Sequence, residues 1–211
     1  LINIMNVLII GATFGIGHEL AKQYVNSSDT LVLLGRTEAK LEEFKKEFSD
    51  RKAKIITDNL DVTIASQCAE KISNILKICP VIDKVIYCSG YYQPHNTFEI
   101  DLSLFKKTMD VNFMGMINIF SVLLPHLKNQ NHGHLGIVAS LAGFGGLPNS
   151  SSYGPSKAAM MNYAESIKID CDKYNIKVSV INPGFVQSRL TEKNTFDMPF
   201  LMSAEKAASI I

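Results

Sequence analysis

Short apolar runs alternate with longer segments of helical period along the chain, and that alternation predicts its architecture. Aliphatic and β-branched runs are expected as strands at 6–10, 31–34, 54–57, 84–88, 135–140 and 177–181. Between them apolar residues recur every three or four positions, predicting helices over 15–26, 38–48, 64–77, 102–128 and 153–174. The second of these carries Leu41, Phe44 and Phe48 on one face. Strand and helix in regular succession argue for βαβ units. The expected fold class is therefore α/β, a parallel sheet with right-handed crossovers and helices on both faces. No repeat, low-complexity segment or linker interrupts the pattern, so a single domain is expected over residues 1–211. The Gly/Ser/Pro-rich stretch 143–154 is read as a loop beside a site.

Both ends carry expectations. Leu1-Ile-Asn-Ile, ahead of Met5, is read as an upstream remnant, and the chain stops inside an apolar, helix-like run at 203–211 that lacks a cap. Val178, Val180 and Ile181 would leave an apolar sheet edge open, so a natural chain continuing beyond 211 to cover it is expected.

Composition narrows the class. Hydrophobic residues make up 46% and charged residues 19%, as in ordinary globular proteins. A net charge of +1 offers no footprint for nucleic acid or an acidic membrane, and neither partner is expected. Cys68, Cys79, Cys88 and Cys171 lack metal-ligand spacing and read as small core residues of a reduced, intracellular protein. No metal is expected at His132-Gly-His134, two histidines in a polar loop without nearby carboxylates. The chain shows no signal-peptide pattern and no uninterrupted apolar stretch long enough to span a bilayer, so the cytoplasm is the expected location.

Two motifs carry chemistry. Gly11-Ala12-Thr13-Phe14-Gly15-Ile16-Gly17 follows the apolar run Val7 to Ile10 and opens a helical pattern. Strand, glycine turn and helix in that order aim backbone N–H groups and a helix N-terminus at a pyrophosphate. Gly11 permits the tight turn, while Gly15 and Gly17 allow close approach of backbone and helix. The second motif is Tyr153-Gly-Pro-Ser-Lys157, with Ser140 upstream. Residues at i and i+4 share a helical face, so an ammonium can sit beside a phenol. A unit charge about 4 Å away at an effective dielectric of about 20 is worth roughly 4 kcal/mol, enough to lower a phenol pKa of about 10 by about three. A tyrosine so tuned serves as an acid/base near neutrality.

Together these motifs resemble the short-chain dehydrogenase/reductase family over residues 5–211. The resemblance implies a Rossmann-type doubly wound parallel sheet of order 3-2-1-4-5-6, with the family's seventh strand absent from this chain. It implies a homodimer or homotetramer packed through the two long helices. It makes Tyr153 the catalytic acid/base, Lys157 the group that lowers its pKa and holds the nicotinamide ribose, and Ser140 the donor to the substrate oxygen. Asn112, in Val111-Asn112-Phe-Met-Gly115, corresponds to the asparagine whose backbone helps position a water in the proton relay. Pro183, Gly184, Val186 and Ser188 belong to a segment similar to the one that contacts the nicotinamide carboxamide. Asp61 and Val62 correspond to the pair beside the adenine ring. Two departures stand out: Ile10 replaces a frequent threonine, and Tyr87-Cys88-Ser89-Gly90 replaces Asn-Asn-Ala-Gly. In the family the latter segment lies along the cofactor, which assigns Ser89 and Gly90 to it.

The end of the second strand selects the cofactor. An acidic residue there would bind a ribose 2′-hydroxyl and repel a 2′-phosphate. This chain has Gly35-Arg36-Thr37, a guanidinium fork and a hydroxyl suited to phosphate, so NADP is expected over NAD. The expected activity is NADP(H)-dependent hydride transfer to the carbonyl of a small apolar substrate. Phe144, Leu147, Phe185 and Leu190 are expected to flank it. Met198, Phe200, Leu201 and Met202 read equally as core or as a mobile lid. The rival readings are a nucleotide-sugar epimerase or dehydratase, whose Gly-x-x-Gly-x-x-Gly and longer carboxy-terminal domain are lacking here, and a non-catalytic NADP(H)-binding redox sensor.

Overall fold

The computed structural model describes residues 5–211. The reading of residues 1–4 as a remnant lies outside them. Six strands, β1 (Met5–Ile10), β2 (Ser28–Gly35), β3 (Lys54–Asn59), β4 (Lys84–Tyr87), β5 (Gly133–Val138) and β6 (Ile176–Ile181), form one sheet of order β3-β2-β1-β4-β5-β6. Every pairing is parallel, as the βαβ reading requires. No seventh strand occurs among the described residues, and β6 stands at one edge with Ile176 and Val178 buried. The helices are α1 (Gly15–Tyr24), α2 (Glu38–Glu47), α3 (Ala65–Ile78), α4 (Leu102–Met109), α5 (Gly115–Gln130), α6 (Tyr153–Cys171) and α7 (Ala204–Ile210).

Each central strand feeds two cores, because successive side chains point to opposite faces. Leu8 and Ile10 join Val32, Leu34, Val85, Tyr87, Leu135 and Ile137 beneath α3, α5 and α6. Val7 and Ile9 join Leu31, Leu33, Ile86 and Val138 beneath α1, α2 and α7. Burial on both faces explains why these strands read as continuous apolar runs rather than alternating ones. The chain leaves β1 toward β2 on one side and reaches β4 on the other. The crevice at the carboxyl ends of β1 and β4 is thus the topological switch point, where ligands bind in such sheets.

Two expectations need correction. The helix expected over 102–128 is interrupted by a π-helical turn, Asp110–Met114, between α4 and α5. The strand expected to reach Ser140 ends at Val138. Ala139 N still donates to Ile181 O at 2.8 Å, and Ser140 then opens a 3-10 turn over Leu141–Gly143. The terminal helix begins at a cap, the Ser203 hydroxyl accepting from Lys206 N at 3.1 Å. The helical run Leu102–Gln130 passes the length and composition of a membrane-crossing helix, as the core helix of a globular fold also can. Lys106, Lys107 and Asp110 break its apolar sequence, so no uninterrupted run was visible. In the fold 44% of its most apolar window is buried, with Phe120, Leu123 and Leu127 in the core beside α3.

Candidate active site

The glycine turn hangs from β2: Gly11 N and Ala12 N both donate to Leu34 O, at 2.8 and 3.0 Å. Gly11 has φ +90, and a Cβ there would lie 2.6 Å from Ser89 N, so only glycine lets the turn lie against the segment after β4. Phe14 precedes α1 in an extended conformation. No side chain caps α1, and its first turn holds no acidic residue, so its leading N–H groups face the crevice without a protein anion.

A cleft of about 480 Å³ opens at this point. Its walls contain every residue the sequence assigned to a cofactor: Gly11, Thr13, Phe14, Gly15, Ile16, Gly17, Arg36, Thr37, Asp61, Val62, Ser89, Gly90, Tyr153, Lys157, Pro183, Gly184, Val186 and Ser188. Gly35 lines it too, and a Cβ at that position would lie 2.7 Å from Thr13 Cγ2. A side chain in the usual acidic place would therefore press on that of Thr13. Asp61 is partly committed elsewhere: its Oδ1 accepts from Thr63 N and Oγ1 at 2.9 and 2.7 Å. Burial alone would raise its pKa; the Thr63 hydrogen bonds and nearby Arg36 hold it below the usual carboxylate range.

Ser140, Tyr153 and Lys157 meet at the inner end of the cleft. Tyr153 opens α6, and Lys157, one turn on, is buried with its Nζ 5.6 Å from the Tyr153 ring centroid. The expected tuning of the phenol is reversed here. Burial pushes Tyr153 up to about 12, against the pull of the Ser140 hydroxyl. Burial also lowers Lys157 to about 8, and its ammonium donates to Val138 O at 3.0 Å. The i, i+4 spacing brought the pair together, but removal from water sets the direction of both shifts.

Asn112 is not brought to the cleft wall. It is fully buried in the π-helical turn, where its Oδ1 accepts from Tyr91 N at 2.6 Å. Its Nδ2 donates to Tyr91 O at 3.0 Å and to Ser156 Oγ at 2.8 Å, and Ser156 Oγ donates to Tyr153 O at 2.7 Å. The side chain thus ties the segment after β4 to the first turn of α6. π-turns of this kind recur at functional sites.

A second cavity of about 420 Å³ adjoins the first and shares Ser140, Tyr153, Gly184, Leu190 and Thr191 with it. Leu147, Phe185, Phe196 and Met202 give it an apolar wall that contains no charged side chain. Phe144, expected here, is absent from the lining and 69% exposed. The segment after β6 roofs the cavity through Met202, whose N donates to Phe185 O and whose carbonyl accepts from Gln187 N. Phe200, also in the lining, is otherwise 95% exposed.

Sequence reasoning missed Tyr92, Arg189 and Lys193. Tyr92 packs edge-on against Tyr153 at 5.1 Å and donates its hydroxyl to Asn194 Oδ1 at 2.9 Å. Lys193 Nζ donates to Tyr92 O at 2.8 Å. These contacts join residues about sixty to a hundred positions apart, and no local pattern signals them. His132 lies 3.4 Å from Asp83, and His134 lies 2.8 Å from Ser179 Oγ. No cluster of three or more His, Cys, Asp or Glu side chains suited to a metal occurs among the described residues.

The family model for short chain dehydrogenase matches residues 5–198. An uncharacterized oxidoreductase of Myxococcus xanthus is 31% identical over 204 residues, covering 97% of this chain and 81% of that protein. Another, from Staphylococcus epidermidis, is 27% identical, with 97% and 87% covered. Among solved structures, ElxO with NADP bound superposes with a TM-score of 0.88 at 24% identity, covering 97% of this chain and 88% of that one. A short-chain type dehydrogenase/reductase from Mycobacterium ulcerans gives 0.88 at 18% identity, with 98% and 81% covered. At these identities the two structures speak to the fold.

Proposed function

This chain belongs to the short-chain dehydrogenase family, and from that premise we propose that it reversibly reduces the carbonyl of a small apolar substrate with NADP(H). The observation that carries the proposal is that Ser140 and Tyr153 line both cavities at once. One cavity has the glycine turn and the other has apolar walls, so both side chains stand where a dinucleotide and a carbonyl compound would meet. The chain's own geometry fits the cofactor. Gly11 leaves no room for a side chain beside Ser89, the start of α1 lacks an anion, and Arg36 and Thr37 stand at the end of β2. Arg36 and Thr37 support NADP over NAD, and ElxO, of the same fold, has NADP bound.

When bound, the nicotinamide supplies the hydride that reaches the carbonyl carbon. Ser140 Oγ donates a hydrogen bond to the carbonyl oxygen as negative charge develops on it. Tyr153 holds its proton at the hydroxyl, kept there by burial, and gives it to that oxygen. Lys157 holds a positive charge beneath the phenol and a hydrogen bond to Val138 O, and Asn112 acts as a positioning residue through Tyr91 and Ser156. A cytoplasmic location is supported by four free thiols, and a homodimer or homotetramer through α5 and α6 by the family.

The test is NADPH oxidation over a panel of uncharged ketones and aldehydes, with wild type beside Tyr153→Phe. Wild type is expected to turn over, and the variant to lose activity by a factor of about 100 or more while still binding NADPH. Turnover that survives in the variant would refute the mechanism. Binding without turnover by wild type across the panel would favour the redox-sensor reading.

A further inference from the structure

Arg189, on the segment after β6, has no role in the reading above. Its guanidinium carbon lies 3.4 Å from the centroid of the Phe14 ring, a face-on stack. Phe14 immediately precedes the first residue of α1, so the stack sets a positive charge at the positive end of that helix. Like signs repel there, and among the described residues no ion pair offsets them. The first turn of α1 carries no acidic residue, and among the described residues no carboxylate lies within ion-pair distance of Arg189. The two segments also converge: a Cβ on Gly15 would lie 3.7 Å from Ser188 Cβ. Phe14, Gly15, Ser188 and Arg189 all line the 480 Å³ cleft.

We propose that Arg189 and the leading N–H groups of α1 together bind the diphosphate bridge of the dinucleotide, with Phe14 as the platform that holds the guanidinium in place. This rests on the dinucleotide reading above. The stack engages the face of the guanidinium and leaves its in-plane N–H groups free, so stacking and phosphate binding do not compete. A doubly charged bridge satisfies both positive elements at once. Arg189 therefore differs from Arg36 in what it distinguishes. Arg36, at the end of β2, is assigned the 2′-phosphate found only in NADP(H), whereas the diphosphate is common to NADPH, NADH and ADP-ribose.

The full chain is titrated calorimetrically with each of these three compounds. Arg189→Gln is expected to weaken all three by about tenfold or more, the range for a charge-assisted hydrogen bond at an exposed site. The gap should narrow as salt rises. Arg189→Lys keeps the charge without the fork and should recover part of the loss. Phe14→Leu removes the platform and should share part of it. Because Arg189 is exposed, the melting temperature of Arg189→Gln should match wild type. Unchanged affinity for all three in Arg189→Gln overturns the proposal. So does a loss confined to NADPH, which would move the side chain to the 2′-phosphate. Wild type that binds none of the three sinks the dinucleotide reading itself, a result distinct from wild type and variant binding equally well.

Discussion

Replacing Lys157 by methionine should remove a pH dependence of stability that the wild-type protein carries without its cofactor. Burial lowers the folded-state pKa of Lys157 from 10.5 to about 8. Between those values the unfolded chain holds a proton that the folded chain has released, so this group makes wild type more stable as pH rises, by about 1.4 kcal/mol per pH unit. Across the window the gain is about 3 kcal/mol. Methionine fills a similar volume and does not titrate. It also leaves Val138 O without its 3.0 Å donor, which costs about 1 kcal/mol but is independent of pH. The stability of the variant minus that of wild type should therefore fall by about 3 kcal/mol between pH 8 and 10.5. Burial holds the Cys68 thiol up to about 11, and the Cys88 thiol and Tyr153 phenol up to about 12, and these groups lose stability at high pH. They are present in both proteins and cancel in the difference. Urea unfolding of both ligand-free proteins at half-unit pH intervals measures it. A flat difference refutes the claim that a buried, desolvated ammonium sits at this site. In wild type the same group should make kcat/KM for reduction fall above about pH 8, where the free enzyme loses that charge.

Three further outcomes follow from the geometry. Arg36→Ala should raise the KM for NADPH by about tenfold or more and leave that for NADH nearly unchanged; equal effects in steady-state kinetics would remove the 2′-phosphate assignment. Asn112→Ala strands Tyr91 N and two other hydrogen-bonding groups, so thermal or urea unfolding should show a loss of about 2–4 kcal/mol together with lower kcat. Native stability in that variant would mean the side chain is no brace. Gly11→Ala must hold φ near +90 with its Cβ 2.6 Å from Ser89 N, and should lose about 1–3 kcal/mol of stability and most NADPH affinity. A native melting temperature and dissociation constant would contradict the close approach.

The strand–helix alternation, the glycine turn and the Tyr153/Lys157 spacing were legible in the sequence because each is local. A two-residue period, a 3.6-residue period or an i, i+4 offset needs only neighbouring residues. What escaped depends on distant partners or on removal from water. The brace at Asn112 exists because Tyr91 and Ser156 arrive from other parts of the chain, and the Arg189–Phe14 stack joins the two ends of the fold. The direction of the Tyr153 pKa depends on burial, which spacing does not encode. Phe144 was placed near the substrate because its neighbours in sequence are there, but the turn after Ser140 carries it outward.

The π-helical turn at Asp110–Met114 closes with Gly115 N donating to Asp110 O, five residues back, and so holds one residue more than an α-helix needs. That surplus makes it a place where the reading frame of the helix can absorb a loss. Deleting one residue there would shorten the loop of that hydrogen bond to the ordinary four and leave both flanks aimed as before. The same deletion inside α5 would spin everything after it by about 100° and swing Leu123 and Leu127 out of the core. Evolution or an engineer trimming this helix can therefore preserve the scaffold at a single spot, and what would be forfeited there is the seat of Asn112.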